Sequence, residues 1–62
     1  MKFDEAVQHF RNGEILIKSG SYYKTNFAMI MKSSDKETWT EAELSIDDVL
    51  SDKWEVEPDG NN

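Results

Sequence analysis

Apolar positions recur along this chain with two different periods. Phe3, Ala6, Val7 and Phe10 fall at i, i+3, i+4 and i+7, which predicts an amphipathic helix over about Asp4–Arg11. Asp4 is the expected N-cap, and Asp4 and Glu5 suit a helix start. Asn12-Gly13 ends the helix, with Gly13 able to take the left-handed conformation. Glu14 to Lys18 reads as a strand with Ile15 and Ile17 on one face and Leu16 on the other. Ser19-Gly20-Ser21 is a turn signal, and Tyr22 to Lys24 resumes as an extended segment. Asn26 to Lys32 reads as one strand, with Phe27, Met29 and Met31 on one side and Ala28 and Ile30 on the other. Glu37 to Thr40 is the next expected strand, with Trp39 as its apolar residue.

The period then returns to that of a helix. Ser45 and Asp48 form a capping-box-like pair. Ile46, Val49 and Leu50 follow on one face, expected to point into the core. Trp54 and Val56 alternate with Lys53, Glu55 and Glu57, which predicts a closing strand. The expected fold is α+β: a small antiparallel sheet, an N-terminal helix packed on it, and a short helix before the last strand. Residues 1–57 form the expected single domain, with 58–62 as a polar tail. Leu16, Ala28 and Ile30 are expected on the second sheet face, which a single helix would leave bare. A second copy of the chain is the expected cover, so a homo-oligomer is anticipated.

Size sharpens that expectation. A chain of 62 residues buries only about 60% of the surface that its unfolded form exposes. It has no cysteine, so neither a disulfide nor a thiolate metal site can staple it. No apolar run reaches the roughly 20 residues that span a bilayer, and no signal pattern opens the sequence. A cytoplasmic protein without membrane attachment is expected.

The formal net charge of −6 argues against nucleic acid as a direct partner. The charge is uneven. Residues 1–34 hold five basic and three acidic residues, and residues 35–62 hold two basic and ten acidic, giving +2 and −8. Such a bias usually solvates a surface, but it also suits a basic partner.

Catalytic patterns are missing from the sequence. There is no Gly-rich phosphate loop, nucleophile elbow or zinc-type His-Glu spacing. His9 falls on the polar side of the first helix. Asp47 and Asp48 are neighbours that diverge by about 100° on a helix, so they do not form a carboxylate dyad. With Asp52 they lack the spacing and glycine of a calcium loop. No enzyme, cofactor or metal is expected. Binding chemistry is better represented. Tyr22, Tyr23, Trp39 and Trp54 offer π-faces, and Arg11, Lys18 and Lys24 offer nearby cations, a combination that suits a small nucleotide. Trp39 and Trp54 read equally as the core of a small sheet, and Trp54 more so.

The two ends carry a resemblance. Met1-Lys-Phe3-Asp-Glu-Ala6, then Gly13, then Leu50-Ser-Asp52-Lys-Trp54-Glu-Val56, is similar to a family of short phage and prophage proteins that includes the Thoeris anti-defence nucleotide sponges. The similarity spans about the first 18 and last 13 residues. Its pattern opens Met-x-Phe-x-x-Ala and closes on Leu-Ala-x-Asp-Trp-Glu-Val. This chain departs from it with Lys53 before the tryptophan, and with Lys18-Ser-Gly-Ser-Tyr22 where the family carries an Arg-x-x-Trp-like segment. The resemblance implies a homo-oligomeric counter-defence protein that sequesters a cyclic nucleotide in the host cytoplasm. The candidate binding residues are then Lys18, Tyr22, Tyr23 and Lys24, with Tyr22 or Tyr23 stacking on the base. The alternative is an acidic inhibitor of a host protein, such as a DNA mimic. It would use Glu41, Glu43, Asp47, Asp48, Asp52, Glu55 and Glu57.

Overall fold

A computed structural model describes residues 1–58; the expected tail from residue 59 on lies outside the described residues. The chain folds as α1 (Phe3–Arg11), β1 (Leu16–Lys18), β2 (Ser21–Asn26), β3 (Met29–Ser33), β4 (Thr40–Glu41), α2 (Ile46–Leu50) and β5 (Glu55–Val56). The strands form one open antiparallel sheet in the order β4-β3-β2-β1-β5. This is the α+β arrangement that the hydrophobic periods predict.

The helix is capped two residues earlier than expected, at Lys2 rather than Asp4. Lys2 is the N-cap and offers no side-chain cap, while Asp4 and Glu5 sit in the first turn. There they face the positive end of the helix dipole. At the other end, Gly13 takes φ +80°. Gly13 N–H donates to the Phe10 carbonyl at 3.0 Å and Glu14 N–H to that of His9 at 3.1 Å. Those two bonds are a Schellman closure. Between β1 and β2, Ser19 and Gly20 both have positive φ, as a two-residue hairpin whose twist matches its strands requires.

α1 lies on one face of the sheet, and the core sits between them. Ala6, Phe10, Leu16, Tyr23 and Trp54 are its buried apolar members, with Phe3 and Ile30 packed against them. Register explains the set. Leu16 pairs with Tyr23 on one side and Val56 on the other, and Tyr23 pairs with Lys32, so Leu16, Tyr23 and Ile30 share the face beneath α1. The expectation that Leu16 and Ile30 occupy the second face is therefore corrected. The second face instead presents Ile15, Ile17, Tyr22, Lys24, Met29 and Met31.

Three further expectations change. Asn26–Lys32 is not one strand: Phe27 and Ala28 form the turn between β2 and β3, and Phe27 stands 98% exposed at φ +60°. That backbone costs a bulky residue on the order of 1–3 kcal/mol. Five cross-strand pairs from Tyr22–Ser33 to Asn26–Met29 hold it there. Glu37–Thr40 is mostly loop, because Asp35 draws the local backbone donors to itself. Its carboxylate accepts from the N–H groups of Glu37 at 2.8 Å and Thr38 at 3.0 Å, and only Thr40–Glu41 reach the sheet.

The third correction concerns α2. Its capping box is present, with Ser45 and Asp48 bonded reciprocally, yet it sends nothing into the core. Ile46 is 68% and Leu50 75% exposed. The helix is fastened by polar contacts. Trp54 Nε1 donates to the Asp48 carbonyl at 2.9 Å, and Lys18 Nζ donates to Asp48 Oδ1 at 2.7 Å. With that side tied down, the apolar side faces outward.

Trp54 is where these parts meet. Its ring is fully buried, 5.5 Å from Phe3, 6.0 Å from Phe10 and 5.0 Å from Tyr23. Truncating so central an aromatic removes about 3–5 kcal/mol. The whole stability of a domain this size is roughly 3–9 kcal/mol. Trp54→Ala is accordingly expected to leave most of the protein unfolded at 25 °C by circular dichroism; a cooperative urea transition close to that of the native chain would show that the core does not depend on this ring.

Candidate functional site

The four residues singled out for nucleotide binding divide between the two faces of the sheet. Adjacent residues in a strand point opposite ways, so Tyr23 faces inward and Tyr22 outward. Lys18 shares the inner face with Tyr23, and Lys24 the outer face with Tyr22.

On the inner side, Tyr23 is core, 4% exposed and edge-on to Trp54. Lys18 is engaged twice. Its Nζ holds Asp48 at 2.7 Å and lies 5.8 Å from the Trp54 ring centre. The hydrogen bond to Asp48 raises the Lys18 pKa above its ordinary value, opposed by burial. Lys18 and the bond to the Ser45 backbone together lower that of Asp48 to about 2. A polar cleft of about 470 Å³ opens beside this pair, with Lys18, Lys32 and Ser21 facing Glu41, Glu43 and Asp48. Lys18 is already paired with Asp48, and Glu41 and Glu43 line the same cleft, which disfavours an incoming anion.

The outer side differs. Among the described residues no helix covers it, and its aromatic rings hold cations closer than the 5.8 Å of Lys18 over Trp54 and Lys32 over Tyr23 on the inner side. Lys24 Nζ sits 4.3 Å over the Trp39 ring, and Lys36 Nζ sits 5.1 Å over the Tyr22 ring. Trp39 was not among the residues that the family resemblance selected. It reaches this face because the Ser33–Thr38 loop folds into a fixed turn. Buried Ser33 donates its hydroxyl to Asp35 Oδ1 at 2.8 Å and accepts from the Lys36 N–H at 2.9 Å. Trp39 Nε1 then donates to the Lys36 carbonyl at 3.2 Å. The Asp35 carboxyl is held at about 2 by the Thr38 and Glu37 N–H groups and the Ser33 hydroxyl. Lys36 pairs with Glu57, which raises its own pKa. The sequence signal for the turn is the Ser33-x-Asp35 spacing.

The acidic residues of the alternative reading are dispersed and partly occupied. Asp48 belongs to Lys18 and to the α2 cap, and Glu57 to Lys36. Glu41 and Glu55 stand on opposite edge strands, while Asp47 and Asp52 flank α2. His9 Nδ1 lies 3.0 Å from Glu14 Oε2 across the end of α1. Among the described residues, no group of three or more His, Cys, Asp or Glu gathers to hold a metal. No helix among them is long and apolar enough to cross a membrane.

Comparison with protein-family models, with curated proteins and with solved structures returned no match. The chemistry of the site therefore rests on its own geometry.

That geometry has a pH signature. Asp35 and Asp48 both ionise at about 2 in the folded chain, against an ordinary 3.8. A carboxyl depressed on folding contributes stability that is fully present above its unfolded value and is lost as pH falls through its folded one. Stability should thus be flat from neutral pH to about 4 and decline between about 4 and 2. Asp35→Asn and Asp48→Asn should each flatten that decline, read from urea midpoints along a pH series. An unaltered decline in both variants would place the acid sensitivity in other carboxyls.

Proposed function

We propose that this protein acts by binding rather than by catalysis, and that it captures a small nucleotide on the outer face of its sheet. The observation that carries the reading is the pairing of Lys24 with Trp39 at 4.3 Å, beside Lys36 over Tyr22. A half-exposed ring with a lysine resting on it is poised for exchange. A cation–π contact at an exposed site stabilises by only about 0.5–1 kcal/mol. A base that stacks on an aromatic ring gains about 1–3 kcal/mol. The base displaces the ammonium from the ring, and the ammonium turns to the phosphate. Tyr22 and Lys24, from the sequence-selected set, take part in this arrangement with Trp39 added, while Lys36 lies over Tyr22 and stays paired with Glu57. Lys18 and Tyr23 hold the sheet that presents them.

The counter-defence role implied by the resemblance fits such a module. Sequestration needs tight capture of a cyclic signalling nucleotide in the host cytoplasm and no turnover. Self-association belongs to the same reading. The acidic-inhibitor alternative draws support from Glu41, Glu43, Asp47, Asp52 and Glu55, which make no ion pair among the described residues. Their dispersal over the fold supports it less well than the convergence of aromatics and cations on one face supports capture.

Tryptophan emission reports the event, because Trp54 is buried while Trp39 is partly exposed. Titration with cyclic di- and trinucleotides should quench it. Trp39→Ala, with its fold intact by circular dichroism, should bind at least about fivefold more weakly in calorimetry, the lower end of one stacking contact. No heat or quench at millimolar nucleotide, or an affinity indifferent to Trp39→Ala and Lys24→Ala alike, would refute the reading.

A further inference from the structure

The side of the molecule away from that platform carries an unexplained apolar surface. Ile46, Val49 and Leu50 of α2 are exposed, as is Phe27 at the β2–β3 hairpin. Val49 and Leu50 join Phe3 and Val7 to line an open groove of about 580 Å³ between the two helices, edged by Lys2, Asp4 and Gln8. Farther along the same flank of α1, Phe27 stands over a hollow lined by Val7, Phe10, Arg11 and Ile30. Val7 lines both. One surface therefore runs from α2 along this flank of α1 to the hairpin, with a groove at one end and a projecting aromatic at the other.

Such a surface matches itself when turned through 180° about an axis at Val7. The two-fold operation brings the Phe27 of each copy to the groove of the other, the reciprocity of an isologous interface. The charges obey the same symmetry. Asp4, Val7, Gln8 and Arg11 fall at i, i+3, i+4 and i+7, on one face of α1, with the acid near its start and the base at its end. Two antiparallel copies of α1 set each Asp4 opposite an Arg11, flanking a Val7–Val7 contact, with the helix dipoles opposed. A dimer of standard size needs roughly 800 Å² from each partner, under a fifth of the 4433 Å² that this chain exposes.

We infer that the protein forms a two-fold dimer through antiparallel α1 helices, with Phe27 of each copy seated in the α1–α2 groove of the other. A seat of this kind accounts for a bulky residue kept at a strained φ with its ring in solvent. The interface leaves the outer sheet face free, and it does not depend on what that face binds.

Sedimentation of the full chain across the micromolar range tests this. The native chain should run as a dimer. Phe27→Gly relieves the positive φ, so it should keep the native circular dichroism spectrum while dimerising about thirtyfold or more weakly, the size of an interface hot spot. Asp4→Arg and Arg11→Asp should each be monomeric through like-charge repulsion. Their equimolar mixture should form a heterodimer, since both inter-helix contacts then again set a guanidinium against a carboxylate. A native chain that stays monomeric at high micromolar concentration overturns the inference. So does an assembly that survives Phe27→Gly, or a mixture that fails to pair.

Discussion

The Trp54 indole is the contact on which the fold depends. It arrives late in the chain, yet it closes the core under α1 against Phe3, Phe10 and Tyr23. Its one polar atom does a second job. By donating to the Asp48 carbonyl, Nε1 fixes the end of a five-residue helix that has no buried side chain of its own. A helix so short is unstable alone. The capping box, the Lys18 ion pair and the indole hydrogen bond together replace the apolar docking that usually holds such a turn.

The same arrangement decides how the two sides of the molecule differ. Because α2 is held by polar groups, its apolar residues are free to face outward and extend the α1 groove. Because α1 and Trp54 fill one side of the sheet, the other side has, among the described residues, the Ser33–Thr38 loop to dress it. Asp35 shapes that loop by gathering backbone donors that would otherwise seek a strand partner. The result is a face of aromatic rings and lysines, edged by Glu41 and Glu55, opposite an apolar one.

Much of the fold is legible in the sequence, because periodicity and capping act locally. The 3.6-residue stripe of α1, Gly13 as its stop and the Ser45–Asp48 box all report what the nearby chain can satisfy by itself. The misread parts are those settled at a distance. Asn26-Phe27-Ala28-Met29 carries no glycine or proline and reads as strand; the β2–β3 pairing imposes the turn from outside. Ile46, Val49 and Leu50 look like core because amphipathicity says that a face exists but not which way it is turned, and Lys18 lies 30 residues from the Asp48 it binds. For the candidate site, alternation alone separates Tyr22 from Tyr23. Trp39 joins Lys24 only once the Ser33–Asp35 turn is seen in three dimensions.

The outermost strands, β4 and β5, are two residues long, and each carries a glutamate. An open sheet is ordinarily a template: unpaired N–H and C=O groups along its border invite another chain to add a strand. Here the border offers too few such groups for a lasting addition, and its carboxylates repel a like-charged border. The rims are therefore poor templates for cross-β growth, which leaves the flat faces as the surfaces that another molecule would meet.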